Sequence, residues 1–151
     1  IVTERGVQTF KDITQIEVNN RNRDQQLLFV TNTALYLGIA VSRAGNHVGD
    51  IGFAVQKLAK AHSFGVIRQL VGHGVGHAVH EDPSIPNFGK PHAGAILSEG
   101  QTIAIEPMFS LGNWRIKTGK DGWTANTVDK SHAAHFEHTI LITSDHAEVL
   151  T

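Results

Sequence analysis

An α+β domain, with helices on one face of an antiparallel sheet, is the fold class this sequence predicts. Two observations carry it. Apolar residues recur at helical spacing over two segments near the start of the chain. A run of short, β-branched segments separated by tight turns then fills the rest. The chain's 151 residues fit one domain with a substantial core.

The opening stretch, Ile1 to about Val18, reads as short strands, and Asn19-Asn20-Arg21-Asn22-Arg23 breaks it. From about Asp24 to Arg43, Leu27, Val30, Ala34, Leu37 and Val41 recur as one helix face. Ala44-Gly45-Asn46 ends that helix, and Asn46 is the expected N-cap of a second one reaching about His62. Ile51, Val55 and Leu58 line the second helix, and Gly65 lies just past its end. Val66 to Val71 reads as strand. Pro83, Pro86 and Asn87 make Asp82 to Lys90 a loop. Further strands are expected near Thr102–Glu106, Arg115–Thr118, Trp123–Thr127, Ala134–Thr143 and Glu148–Leu150.

Composition excludes several function classes. The formal net charge is −1, so no basic footprint argues for nucleic acid. No cysteine is present, which rules out disulfides and thiolate zinc sites and suits a reducing compartment such as the cytoplasm. No segment reaches the roughly 18 uninterrupted apolar residues of a membrane span. The chain begins at Ile1 rather than Met, as a fragment or processed product would.

Chemistry concentrates in a histidine and two carboxylates. Ile103-Ala104-Ile105-Glu106-Pro107-Met108 and His135-Phe136-Glu137-His138-Thr139-Ile140 each place one glutamate inside an apolar strand. A buried, unpaired carboxylate is costly, so such a group is normally paired or bound to metal. Period-2 alternation puts Glu106 on the face of Ala104, and Glu137 on the face of His135, Thr139 and Leu141. If the two strands are neighbours, the glutamates converge and need a cation or a shared proton. His73, in Gly72-His73-Gly74, supplies a nitrogen ligand. Two carboxylates with one imidazole suit Mn, Fe, Co or Zn. The bland alternative is a pair of solvated glutamates on an open sheet face. His77 and His80 are three apart but lack the His-Glu-x-x-His order, and the surrounding glycines and Pro83 disfavour a helix there. Gly72-x-Gly74-x-Gly76 lacks the lysine of a phosphate loop, and its glycines serve close backbone passage instead.

Five motifs in order resemble type I methionine aminopeptidases, a family of pita-bread metallopeptidases. They are Gly72-His73-Gly74-Val75-Gly76, His80-Glu81-x-Pro83, Ile105-Glu106-Pro107-Met108, Lys120-Asp121-Gly122-Trp123-Thr124 and Phe136-Glu137-His138-Thr139. The resemblance runs from about Asp24 to the end. X-Pro peptidases share the metal residues, but Lys120-Asp121-Gly122-Trp123-Thr124 favours the methionine enzymes.

The resemblance implies the pita-bread fold, here a partial catalytic domain over residues 1–151 with roughly one and a half of the usual layers and the N-terminal part missing. It implies removal of the initiator methionine from nascent polypeptides, with the ribosome as a possible partner and no role for nucleic acid or membrane. It implies two divalent metal ions (Co, Mn, Fe or Zn), held by His73, Glu106, Glu137 and, across a short gap, Asp12 in Phe10-Lys11-Asp12-Ile13-Thr14. The family's other aspartate would fall at or before Ile1. Two cations would lower the pKa of a bridging water, which attacks the peptide carbonyl. Glu106 would relay its proton, His80 would bind substrate and stabilise the tetrahedral intermediate, and Trp123 would line the methionine pocket. Val79 stands where the family usually has an aromatic. A non-catalytic binding module on the same scaffold and an X-Pro peptidase are the alternatives.

Overall fold

A computed structural model describes residues 22–151. Asp12 and the strands expected over the opening stretch lie outside the described residues. Helix α1 spans Arg23–Ala40 and helix α2 spans Val48–Ala61. Ten strands follow: β1 Gly65–Val66, β2 Gly72–Gly74, β3 Glu81–Ile85, β4 Thr102–Ile105, β5 Met108–Ser110, β6 Ile116–Thr118, β7 Ala125–Thr127, β8 Ala133–His135, β9 His138–Ile142 and β10 Ala147–Val149.

Helix α1 starts on a capping box. The Asn22 side chain accepts from the Gln25 amide at 2.9 Å, and Gln25 returns a bond to the Asn22 amide. Its buried face is broad, running through Leu27, Val30, Ala34, Leu35, Gly38 and Ile39. Buried Thr31 and Thr33 donate their hydroxyls to the carbonyls of Leu27 and Phe29, so neither polar group is stranded. Asn46 does not cap α2. Its amide closes the end of α1 by donating to the Val41 carbonyl at 2.7 Å, and His47 is the N-cap. Where α2 ends, the left-handed residue is Ser63 (φ 57°), ahead of Gly65. Ile51, Val55 and Ala59 of α2 are fully buried, with Leu58 partly so, as the periodicity predicts.

The strands form antiparallel sheets: a five-stranded sheet in the order β10-β9-β4-β2-β3, a three-stranded sheet β1-β5-β8, and the hairpin β6-β7. Several expected boundaries shift, and β5 falls where no strand is expected. The Val66–Val71 run keeps only β1 as strand. The segment over Asp82–Lys90, expected as loop, contributes β3 at the sheet edge, where Pro83 removes no ladder bond from a central strand. The single strand expected over Ala134–Thr143 is two, β8 and β9, in different sheets. The core sits between both helices and the sheets, centred on Leu35, Ile51, Val55, Ile103, Ile105, Phe109 and Ile140, all at most 1% exposed. Among the described residues no helix is long and apolar enough to cross a membrane.

Candidate metal centre

The sheet topology builds the site at a shared corner. Strand β4 pairs with β9, ending at Ile105↔His138, while β5 pairs with β8, starting at Met108↔His135. Each ladder therefore skips two residues at the same level: Glu106-Pro107 on one strand and Phe136-Glu137 on the other. Both chains bend there from the large sheet into the small one. The bend leaves the two glutamates at facing positions, one step beyond the last pair of β4 and β9. Convergence follows the alternation read from the sequence. The environment does not: both glutamates lie at strand breaks, and Glu137 is 46% exposed against 12% for Glu106.

His73 arrives from the other side of β4. In β2 it pairs with Ala104, two residues before Glu106. Its Nδ1 lies 2.9 Å from the Gly74 carbonyl. A carbonyl only accepts, so Nδ1 carries the proton and the Nε2 lone pair is left for the site. Nε2 lies 3.6 Å from Glu106 Oε1. Gly72 makes this approach possible, because a Cβ there would collide with the Ala104 carbonyl oxygen of the neighbouring strand. The Gly72–Gly74 segment is a central strand of the large sheet. Asn87, 1% exposed, donates to the Glu106 carbonyl at 2.9 Å and pins the corner from the loop after β3.

One ligand atom from each of His73, Glu106 and Glu137 lies within 4.8 Å of the other two. Ligand atoms about 2.0–2.2 Å from a common cation stand slightly closer than this, so small side-chain rotations close the shell. The donor set, one imidazole and two carboxylates on a partly buried corner, fits a divalent metal of the Mn-to-Zn range.

Two further histidines surround this trio. The His80 ring lies 4.1 Å, centroid to centroid, from that of His73. The segment from Gly76 to His80 is not helical, so His77 and His80 do not form the helical pair considered above. His135 Nε2 lies 3.4 Å from Glu106 Oε2 and 4.0 Å from Glu137 Oε2. Its hydrogen bond to Glu106 raises the His135 pKa, against the lowering effect of burial, and both carboxylate charges add to the rise. Alternation puts His135 on the face of Glu137, but no local pattern gives it a role, and nothing local marks Asn87 as more than a loop residue.

Trp123 stands apart. It is 91% exposed in the β6–β7 turn and lines no wall of the neighbouring cleft. The surrounding motif is a turn device. The Asp121 carboxylate accepts the amides of Trp123 and Thr124 at 3.1 and 3.0 Å and the Thr124 hydroxyl, and Gly122 adopts φ 73°. The Thr124 hydroxyl, then the Thr124 and Trp123 amides, lower the Asp121 pKa to about 2. A cleft of about 680 Å³ opens beside the centre, reaching His135 and walled by Ile67, Leu70, Met108 and Ile116.

Residues 8–144 match the sequence profile of metallopeptidase family M24. The chain belongs to that family, and its α+β architecture is the family's pita-bread fold in part. Within it, the likeness is to methionine aminopeptidases. The chain is 46% identical over 142 residues to the methionine aminopeptidase of Mycoplasma capricolum, covering 94% of this chain and 56% of that protein. It is 44% identical over 133 residues to methionine aminopeptidase 1 of Bacillus subtilis, covering 88% and 54%. The crystal structure of methionine aminopeptidase from Thermotoga maritima superposes with a TM-score of 0.83 at 49% identity, covering 85% of this chain and 52% of that one. Prolidase from Pyrococcus furiosus, at 21% identity and a TM-score of 0.64 over 85% of this chain and 32% of its own, shares the fold. The chain spans about half the length of the curated relatives it matches. Membership of a metallopeptidase family accords with divalent metal use at this centre.

Proposed function

We propose that this chain carries the metal centre of a methionyl aminopeptidase, which hydrolyses the first peptide bond of nascent polypeptides and releases methionine. The observation that supports this most is the convergence of His73, Glu106 and Glu137 at the sheet corner, with His80 against His73 and an apolar-walled cleft alongside. The difference between 49% identity to a methionine aminopeptidase and 21% to a prolidase favours methionine over proline specificity.

In this reading His73 presents Nε2 to metal, and Glu106 and Glu137 present carboxylate oxygens, with Asp12 as a further ligand. Divalent cations at the centre, two in number and drawn from Co, Mn, Fe or Zn, supply Lewis acidity and lower the pKa of water toward neutrality. Glu106 accepts the proton lost by the attacking water and passes it to the leaving amine. His80 donates to the substrate carbonyl as negative charge develops on its oxygen. The apolar cleft holds the methionine side chain, walled by Ile67, Leu70, Met108 and Ile116 rather than by Trp123. The N-termini of new chains are the substrate, the ribosome is where they are met, and the cytoplasm is the compartment.

Elemental analysis of the purified chain after incubation with Co²⁺ or Mn²⁺, followed by a Met-peptide cleavage assay, tests this. Two equivalents of metal at the corner centre, over and above any held elsewhere on the chain, with release of methionine, are expected. A chain that binds no metal at this centre overturns the assignment, and a metal-loaded chain that cleaves no Met-peptide reduces it to a binding module.

A further inference from the structure

A separate set of metal-type ligands lies where the loop between β3 and β4 docks on the start of α2. The docking itself is made by backbone. The amides of Val48 and Gly49 donate to the carbonyls of Ala95 and Ala93 at 3.0 and 2.9 Å, and His47 bridges to Ile96. Asp50 sits between the two segments. Its Oδ2 accepts the His47 amide at 2.8 Å and its Oδ1 accepts the His92 amide at 2.9 Å. Burial pushes the Asp50 carboxyl up, but those two amides, aided by both imidazoles, outweigh it and hold the group below its ordinary range. The carboxylate is therefore charged and held in one orientation, and each oxygen keeps a lone pair free.

Two imidazoles face that carboxylate. His47 Nδ1 lies 3.8 Å from Oδ2, and His92 Nδ1 lies 3.9 Å from Oδ1. Both distances are too long for hydrogen bonds. They are close to the separation of roughly 3.4 Å between ligand atoms around a tetrahedral zinc ion. One ligand atom from each of the three residues lies within 4.8 Å of the other two. His47 Nδ1 is buried and, among the described residues, has no hydrogen-bond partner. Such an orphan is costly, and a metal ion satisfies it as a hydrogen bond would. His92, 84% exposed on its side chain, is free to turn its ring inward and complete the shell. The positive end of the α2 dipole opposes a cation there, and the fixed Asp50 charge offsets it.

We propose that His47, Asp50 and His92 form a second metal site, distinct from the corner centre, which takes a divalent transition-metal cation with imidazole preference, such as Zn²⁺. The fourth position faces solvent beside His92. Bound metal clips the β3–β4 loop to the N-terminus of α2. Neither histidine belongs to the motifs shared with aminopeptidases, so the site is independent of the proposed reaction.

Zn²⁺ titration of the whole chain, followed by imidazole ¹H–¹⁵N NMR, tests it against His92→Asn. Asparagine tolerates the left-handed backbone that His92 adopts (φ 59°), so the variant keeps the loop. The unmodified chain is expected to show Nδ1 metallation shifts at His47 and His92. The variant is expected to bind one Zn²⁺ equivalent fewer, or that equivalent at least tenfold more weakly, with the His73 response unchanged. Equal Zn²⁺ binding by the two proteins, or His47 and His92 rings that do not shift at saturating Zn²⁺, overturns the proposal. Loss of the His73 response alone bears on the corner centre and leaves this site standing.

Discussion

Glu106 and Glu137 play unequal parts at one centre. Glu106 is mostly buried, its carbonyl is bonded by Asn87, and its carboxylate is shared between His73 and His135. Removing it would leave the part-buried His73 and the half-exposed His135 without their shared carboxylate and disturb the site. Glu137 is half exposed, and among the described residues its ion-pair contact, with His135, is 4.0 Å long. Glu137→Ala is therefore expected to leave stability within about 0.5 kcal/mol, as for other surface substitutions. Because loss of even an outer-shell partner weakens metal binding by roughly 10- to 100-fold, loss of a ligand should weaken it at least that much. Metal content by elemental analysis, read beside a thermal melt, checks both halves. Unchanged metal content rejects Glu137 as a ligand.

At the scale of elements, β2 is the narrowest part of the design. It is three residues long, lies between β3 and β4, and carries His73, the candidate imidazole ligand of the corner centre. Gly72 faces the Ala104 carbonyl and Gly74 faces the Asp82 carbonyl, each too close to admit a Cβ. These glycines set interstrand distance rather than turn geometry. Gly72→Ala should push β2 away from β4, at a cost of about 1–3 kcal/mol for overpacking against backbone. Because His73 is the next residue, the same shift should carry Nε2 away from Glu106. The measurable result is a lower Tm together with weakened metal binding. An alanine variant that melts lower but binds metal normally would show that His73 is positioned by something other than β2.

At the scale of the whole molecule, Ile105 joins the core to the centre. It is fully buried, is paired across the sheet with His138, and lies where a Cβ on Gly38 of α1 would meet its methyl at 3.3 Å. Its neighbour in sequence is Glu106. Ile105→Ala removes three carbons from this contact and should cost about 2–5 kcal/mol, a Tm fall of roughly 5–15 °C for a domain of this size. Calorimetry checks it, and a fall below about 2 °C would mean the helices do not brace the corner.

Much was legible before any coordinates. The two helices, the antiparallel class and the faces on which both glutamates lie follow from periodicity, because a buried face imposes its repeat on the residues that line it; that the two acidic strands are neighbours does not. The convergence of Glu106 and Glu137 was readable from alternation, although Glu137 proves half exposed at a strand break rather than buried within a strand. Only the tertiary structure decided the rest. That Ala134–Thr143 breaks into two strands at Phe136-Glu137, opposite the break at Glu106-Pro107, depends on two sheets meeting at one corner, and no local pattern records where sheets meet. That Asn46 closes α1 while His47 starts α2 turns on which carbonyl lies within reach of one amide group. His135 enters the centre through contact between separate elements, and His47 is brought to His92 across 44 intervening residues, for the same reason. Local propensity and alternation are properties of neighbouring residues, and they determined the parts. Long-range proximity is a property of packing, and it determined which side chains act together.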